Sequence, residues 1–320
     1  LSGKVHGYNI GILNMQTESE LDDTTGAALA PTNNFSVLRV VREIGRSNVG
    51  AMFVNRAASG RYALADDYNR GYGVDAAWQA TSNGKLFAFI ARTDSPQAKG
   101  GADYAGRLFY SYANPLLQTS FGYSDVGEHF NPEVGFLARR NYRRLEGRTA
   151  VAYDPKRWDW IRRINPHMNF NAFWNRQDGG LETFDAHWHA FDIMQSNGGR
   201  FGYAFNSAMD RPRQPFTAYS DANGKKVVIP AGDYSWVQGL LELSTNQSAP
   251  LYLSLRQFVG NYYDGDFLGW STSVTMRAGT QLTASVGWNR DKVSLPYGRF
   301  TNDLIPVRMN YSFTRFASID

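Results

Sequence analysis

The residues of this chain best suited to metal or acid–base chemistry are Asp185, His187 and His189, which are spaced two residues apart. In an extended strand, side chains at this spacing point to the same side. Two imidazoles in a His-x-His arrangement, with a carboxylate nearby, are donor types that Zn²⁺ binds in proteins. Three ligands along one strand span roughly 13 Å, however, and seldom reach one ion. We therefore predict that these side chains line a water-filled space, without a metal or any other cofactor.

A second set of candidate functional residues consists of charged side chains that occupy one face of predicted strands. Opposed basic and acidic walls in a pore create a transverse field that orders polar solutes, and rings of Arg favour anions. The same Arg and Glu side chains could instead pair with one another and brace the sheet, and the sequence leaves both roles open. Together with the three residues above, the predicted pore lining is Asp75, Arg107, Glu146, Arg148, Asp185, His187, His189, Glu242, Arg256, Arg277 and Arg308.

The sequence offers little that is typical of an enzyme. It contains no GxSxG motif, and only five His residues are available as a general base. Paired acids in predicted loops (Asp22-Asp23, Asp66-Asp67 and Asp264-Gly265-Asp266) have the oxygen ligands that calcium or lipopolysaccharide-bridging cations prefer. Solvated loop carboxylates are far commoner than such sites. We predict no enzymatic activity.

The strands that position these residues are clearest between Leu268 and Asn289, where apolar residues alternate with polar or small ones. This alternation on both sides of Gly279-Thr280-Gln281 predicts a β-hairpin with one apolar face. Each arm has about ten residues, which is the length that a tilted strand needs to cross a bilayer. The predicted apolar face consists of Leu268, Trp270, Thr272, Val274, Met276 and Ala278 on the first arm, and Leu282, Ala284, Val286 and Trp288 on the second.

The same alternation recurs along the whole chain and predicts about sixteen strands. Long polar connections, such as those at 16–34, 125–140 and 209–233, mainly alternate with short turns. This asymmetry is typical of a transmembrane up-and-down antiparallel β-barrel. No apolar run approaches the roughly 18 residues of a membrane helix. We predict an all-β chain that forms a single barrel domain over residues 1–320.

Tryptophans on the apolar faces of these strands are predicted to anchor the barrel at the membrane interface, where Trp and Tyr are enriched. Stacking on sugars is the less favoured role, because the residues lie on the lipid-facing side. The predicted interface residues are Trp78, Trp174, Trp188, Trp270 and Trp288.

A soluble β-propeller acting as a glycosidase or lectin is the main alternative for an all-β chain of this length. Propeller strands are often apolar on both faces and repeat about every 40 residues, and neither feature is found here. The formal charge of +4 is too small and too dispersed to indicate a nucleic-acid partner. The absence of Cys excludes a disulfide framework.

Four stretches of the sequence resemble one family of proteins. They are 2–14, which contains SGKV and NIGILN; 34–50, which contains SNVG; 69–75, NRGYGVD; and 130–136, FNPEVGF. Across nearly the whole chain the sequence is similar to the barrel region of an uncharacterised Gram-negative outer-membrane family. In that family the barrel follows a periplasmic domain that resembles family-9 carbohydrate-binding modules.

The resemblance implies a multi-pass β-barrel of the Gram-negative outer membrane, in contact with lipid and lipopolysaccharide. It also implies that a carbohydrate-binding-like domain precedes this region and that further strands follow it. We expect a porin-like channel or transporter for polar solutes, with saccharides suggested by the attached domain. The alternative in the same membrane is a scaffold or anchor whose lumen holds a periplasmic or plug partner protein.

Overall fold

The computed structural model describes residues 1–96, 98 and 101–319, and these residues form strands, turns and irregular segments without a helix. Twenty of the 24 strands belong to one antiparallel sheet, while β3–β4 and β16–β17 are separate two-stranded hairpins. The strands of the first part are β1 (Ser2–Val5), β2 (Tyr8–Gln16), β3 (Glu20–Leu21), β4 (Ala28–Ala30), β5 (Thr32–Ile44), β6 (Ser47–Ser59), β7 (Tyr68–Gln79), β8 (Gly84–Asp94), β9 (Tyr104–Ala113), β10 (Leu117–Val126), β11 (Tyr142–Val151) and β12 (Ile161–Ile164). They continue with β13 (His167–Asn175), β14 (Leu181–Gln195), β15 (Arg200–Asp210), β16 (Phe216–Ser220), β17 (Lys226–Ile229), β18 (Tyr234–Ser244), β19 (Leu251–Tyr262), β20 (Gly265–Ala278), β21 (Leu282–Leu295), β22 (Gly298–Leu304), β23 (Val307–Thr314) and β24 (Ala317–Ile319).

Successive strands pair with their chain neighbours, as an up-and-down topology requires. This order runs without interruption from β5 to β9 and from β18 to β21. The prediction of an all-β antiparallel fold is confirmed. The propeller alternative is wrong, because a propeller divides its strands among separate four-stranded blades.

The hairpin that guided the sequence prediction forms as expected. β20 and β21 pair from Asp266↔Ser294 to Ala278↔Leu282, which leaves 279–281 as the turn. Val274 lies opposite Val286, and both side chains remain 40–48% exposed on the apolar face. Gly269 and Gly287 on the other face are buried.

The main sheet has more strands than the sixteen predicted. β1 and β24 are only 4 and 3 residues long, so their alternation is too short to recognise. β21 pairs first with β22 and then with β23, because Pro306 between them has no N–H for the ladder. Pro166 stands in the same way between β12 and β13.

The chain forms two compact units. Unit 1 comprises 1–113, 120–146 and 173–180, and unit 2 comprises 114–119, 147–172 and 181–320. In unit 1 an apolar cluster surrounds Ala105, Val126 and Phe130. In unit 2 a second cluster surrounds Val227, Ile229, Tyr263, Val293 and Leu295. The single domain expected over residues 1–320 stays a prediction.

Candidate functional site

The two faces of the strands carry different side chains, and the difference is plain in unit 1. Val74 and Ile90 are cross-strand neighbours on the apolar face, and they are 52% and 58% exposed. One residue along, Asp75 points to the opposite face, which we call the polar face. There both Asp75 carboxylate oxygens accept hydrogen bonds from the guanidinium of Arg39. Large apolar groups therefore meet the surroundings on one side while charges pair on the other.

The polar face of unit 1 carries an excess of arginine over acid along β9 to β11. Arg107 and Arg144 share the carboxylate of Glu146, with N···O distances of 2.5 and 3.0 Å. Two predicted lining residues, Arg107 and Glu146, are thus brought together. On the opposite side of β10 and β11, Arg143 and Arg176 share Asp125 at 3.5 and 2.6 Å. Because the Glu146 carboxylate serves two guanidiniums, this part of the polar face is positively charged.

The connection between β10 and β11, residues 127–141, folds onto this same polar face. Asn69 is fully buried there, and its Nδ2 donates to the carbonyl of Asn131 at 2.9 Å. The backbone N–H of Asn131 donates to Thr93 Oγ1 at 2.9 Å. Arg56, whose Nη2 lies 2.7 Å from Asp67, also pairs through Nε with Glu133 at 2.5 Å. The FNPEVGF segment is therefore held against the polar face by buried polar groups.

Apolar packing reinforces these hydrogen bonds. Phe130 is 7% exposed and packs in the cluster with Ala105, while Leu137 packs against the same cluster. Ala91 and Ala105 are cross-strand neighbours on the polar face. Their small side chains leave room for the loop to lie flat on the wall. The last residue of the FNPEVGF segment does not pack against the wall, since Phe136 is 92% exposed.

A second charged network lies on the polar face of unit 2. Arg256 donates to Glu242 at 2.6 Å, so these two predicted residues meet across the β18–β19 pair. Arg200 donates to Asp192 at 2.7 Å and lies 3.5 Å from the Glu242 carboxylate. Asp192 and Glu242 are both buried. Two acids and two arginines thus form one balanced network, which braces the strands as one of the sequence interpretations proposed.

Three histidines converge beside this network. His187 and His189 of β14 are joined by His167 of β13, and the ring centroids are 4.7–5.4 Å apart. One ring nitrogen from each residue lies within 4.8 Å of the others. Asp185 does not join them, since its Oδ2 accepts a hydrogen bond from Asn171 at 3.0 Å. The cluster combines imidazoles from two strands, whereas the predicted set came from one.

A hairpin that the sequence analysis described only as a polar connection covers part of the polar face of unit 2. Val227 and Ile229 of β17 are fully buried and pack with Val293 and Leu295 of β21. Tyr263, in the turn between β19 and β20, belongs to this cluster and donates from its hydroxyl to Asp210 at 2.7 Å. Burial, together with this hydrogen bond to Asp210, raises the pKa of Tyr263 well above its usual value.

The remaining predicted lining residues lie apart from these groups. Arg277 donates to the carbonyls of Gln247 and Ala249 next to the turn of β20–β21. Arg148 and Arg308 are exposed on β11 and β23. The lining role of the whole predicted set stays a prediction.

The predicted interface tryptophans lie on the apolar faces of their strands or at their ends. Trp78, Trp188 and Trp288 are 57%, 48% and 39% exposed, and Trp174 and Trp270 are half-buried. Trp270 and Trp288 contact each other edge to face at 5.3 Å, and Arg290 lies over both rings. Arg290 also forms a bidentate ion pair with Asp303. The apolar face thus changes from aromatic to charged within two residues, as expected where hydrocarbon gives way to headgroups.

One acid from each of the three loop groups that could have bound cations forms contacts within the protein. Asp22 accepts hydrogen bonds from the backbone and hydroxyl of Thr25, and these bonds lower the pKa of its carboxyl group. Asp67 pairs with Arg56, and Asp264 accepts a hydrogen bond from Tyr297. These contacts give Asp22, Asp67 and Asp264 structural roles.

Within the described residues, no helix is long and apolar enough to cross a membrane. Several solved structures are similar to this chain at low sequence identity. OccK9 (OpdG) of Pseudomonas aeruginosa is similar at 10% identity, with a TM-score of 0.47 over 94% of this chain and 96% of that one. A BenF-like porin from Pseudomonas fluorescens is similar at 10% identity, with a TM-score of 0.45 over 94% and 96%. A bacterial polysaccharide outer membrane secretin is similar at 12% identity, with a TM-score of 0.40 over 97% and 100%.

No family model matches the chain, and no curated protein does. The carbohydrate-binding context that the sequence resemblance implied therefore stays a prediction.

Sequence reasoning missed several residues that the structure places at these sites. His167 was missed because it lies 20 positions before His187 and its own alternation is broken by Pro166. Asp192 and Arg200 were missed because a bulge between His189 and Phe191 shifts the alternation of β14 by one residue. A signal for Asn69 and Thr93 was absent, since a small polar residue on a polar face is unremarkable.

Proposed function

We propose that this chain is an outer-membrane β-barrel that conducts polar solutes, with the sheet closed on itself and the polar face lining the lumen. The observation that carries the proposal is the exposure of large apolar side chains in mid-strand on one face only. In water, soluble monomers rarely expose contiguous apolar patches beyond a few hundred Å². Lipid around the barrel removes the free-energy cost of exposing these apolar side chains to water. A closed sheet also pairs the backbone N–H and C=O groups of every strand with those of its neighbours.

The two folded-in segments support a channel with a restricted lumen. In unit 1 residues 127–141 lie on the polar face, and in unit 2 the β16–β17 hairpin does so. Each is fixed by buried contacts, so each narrows the space that solutes would cross. A narrow, charged passage discriminates among solutes through its lining groups.

The paired guanidiniums around Glu146 favour anionic solutes, or neutral solutes rich in hydroxyl groups. We propose saccharides among the latter, because Arg and Glu side chains offer both donors and acceptors to hydroxyls. No catalytic role is part of the proposal. The partners proposed are outer-membrane lipid and lipopolysaccharide on the apolar face.

Measurements of electrical current across planar lipid bilayers test the proposal. Chain refolded in detergent and inserted into the bilayer is expected to give discrete current steps and a reversal potential that favours anions in a KCl gradient. Liposome swelling with neutral sugars tests the saccharide part. Inserted protein that carries no current at any voltage would overturn the channel proposal.

A deletion variant distinguishes the open channel from a scaffold whose lumen is plugged. Deleting 128–138 removes the segment bound to Asn69 and Thr93. Silence in the wild-type chain combined with current in the deletion variant would favour the alternative in which the lumen is filled.

A further inference from the structure

We infer that His167, His187 and His189 form a binding site for a divalent transition metal, with Zn²⁺ as the preferred ion. The site goes beyond the proposed channel and does not depend on it. Zn²⁺ is bound by imidazole nitrogens at about 2.0–2.1 Å, and three His ligands plus water complete a tetrahedral site. The sequence spacing alone argued against a site, but the third ligand comes from a neighbouring segment and not from farther along β14.

The distances suit an ion after a small adjustment. Three nitrogens around tetrahedral zinc lie roughly 3.3 Å apart, as follows from their bond lengths. The three nitrogens here lie within 4.8 Å of one another. Rotation of the imidazoles about their side-chain bonds would bring the nitrogens to the spacing that tetrahedral zinc requires.

Outer hydrogen bonds already orient two of the rings for metal binding. Nδ1 of His187 donates to Oδ1 of Asn206 at 2.7 Å, and Nδ1 of His167 donates to the carbonyl of Asn165 at 3.0 Å. A proton held on Nδ1 leaves the lone pair on Nε2 for a metal. Ligating histidines in metalloproteins almost always make such a bond through the other nitrogen.

The third imidazole, that of His189, is buried with one ring nitrogen that lacks a hydrogen-bond partner. His189 is 2% exposed, and its Nε2 makes no hydrogen bond. The closest carboxylate oxygen, on Glu242, lies 3.7 Å away. An unsatisfied buried polar group costs about 1–3 kcal/mol. A metal bound by His189 would remove this cost, either at Nε2 itself or by fixing the ring so that an Nε2 proton points to Glu242.

Gly202 makes room for this ring. A Cβ at that position would lie 2.6 Å from His189 Nε2, so a larger residue would require the imidazole to shift. Gly202 therefore provides the space that the ring occupies against β15.

Zinc titration of the full chain in detergent micelles, followed by competition with a chromophoric chelator, tests the site. One Zn²⁺ per chain is expected. His167→Ala and His187→Ala are each expected to weaken binding at least about 100-fold, since loss of an outer partner alone typically costs 10–100-fold. Asn206→Leu is expected to weaken it about 10–100-fold for the same reason.

Two control variants test whether Zn²⁺ binding is specific to this cluster and whether Asp185, which the sequence spacing suggested, is a ligand. His129→Ala removes a histidine whose Nδ1 donates to the Gly101 carbonyl, far along the chain from the cluster. Asp185→Asn removes the carboxylate that sequence spacing included. Both should bind Zn²⁺ within about threefold of wild type, a margin well below the losses expected at the ligands.

Heat-modifiable electrophoretic migration should first establish that each variant folds. His187→Gln keeps a polar side chain of similar size and provides the test if His187→Ala does not fold. Binding that is absent from wild type, or that is equal in wild type and in folded His167 and His187 variants, would overturn the site. A loss in Asp185→Asn equal to that in His187→Ala would also contradict the assigned ligand set.

Discussion

Replacing Val274 by Arg tests what surrounds the apolar face. Val274 is 40% exposed and lies between Leu253 of β19 and Val286 of β21, which are 44% and 48% exposed. If lipid surrounds this face, a guanidinium here costs about 2–4 kcal/mol near the bilayer midplane. That cost reduces the folding equilibrium constant about 30- to 700-fold, since 1.4 kcal/mol is a factor of ten. In water, the same change at a partly exposed position would cost within about 0.5 kcal/mol.

Thr275→Arg is the matched control, because Thr275 is the next residue and points to the polar face between Tyr252 and Ser285. Its expected cost is below about 1 kcal/mol, since surface substitutions have small effects. Reversible denaturant unfolding in phospholipid vesicles measures both free energies of unfolding. Equal costs for Val274→Arg and Thr275→Arg, or a smaller cost at Val274, would refute the assignment of the apolar face to lipid.

Three further predictions concern the polar face and the loops. Glu146→Gln removes the carboxylate shared by Arg107 and Arg144. The anion-to-cation permeability ratio should rise about fivefold, because a unit charge about 8 Å away in water contributes ~0.5 kcal/mol of opposite sign for each ion; an unchanged or lower ratio would contradict this role. Asn69→Ala leaves the Asn131 carbonyl without its donor. The loss of about 1–3 kcal/mol of stabilisation should speed amide hydrogen exchange across 127–141 but not in β20–β21. An equal increase in exchange rate in both regions would argue against a local anchor. The raised pKa of Tyr263 means that its stabilising contribution is complete below about pH 10, the usual tyrosine pKa, and is lost as pH rises beyond it. Wild type should therefore lose more stability above pH 10 in denaturant unfolding than Tyr263→Phe does, and parallel curves for the two proteins would count against the buried hydroxyl.

The sequence predicted the fold well because a period of two residues is a local property. Val74 and Val286 were assigned to the apolar face from their neighbours alone, and the pleat of the strand then placed them correctly. The three-residue turn after Ala278 followed from its glycine in the same way. Strand number was harder, because Pro306 divides one strand into two and β24 is too short for a pattern.

The sites were less predictable, because they depend on contacts between distant residues. His167 meets His189 only through the packing of separate strands, and nothing in the local sequence encodes that meeting. The burial of Val227 and Ile229 arises from folding of the long connection back onto β21, which its polar composition concealed. The bulge at Ala190 moved Asp192 to the same face as His189, which strict alternation would not predict.

The central claim is that lipid contacts one face of these strands and water contacts the other. The chain contains no Cys, so single cysteines at 274, 275, 276 and 277 can be labelled one at a time in vesicle-embedded protein. The account predicts that fluorophores at 274 and 276 are quenched by nitroxides on lipid tails, and that 275 and 277 react with water-soluble maleimide. Quenching at 275 and 277, or equal behaviour at all four positions, would contradict it.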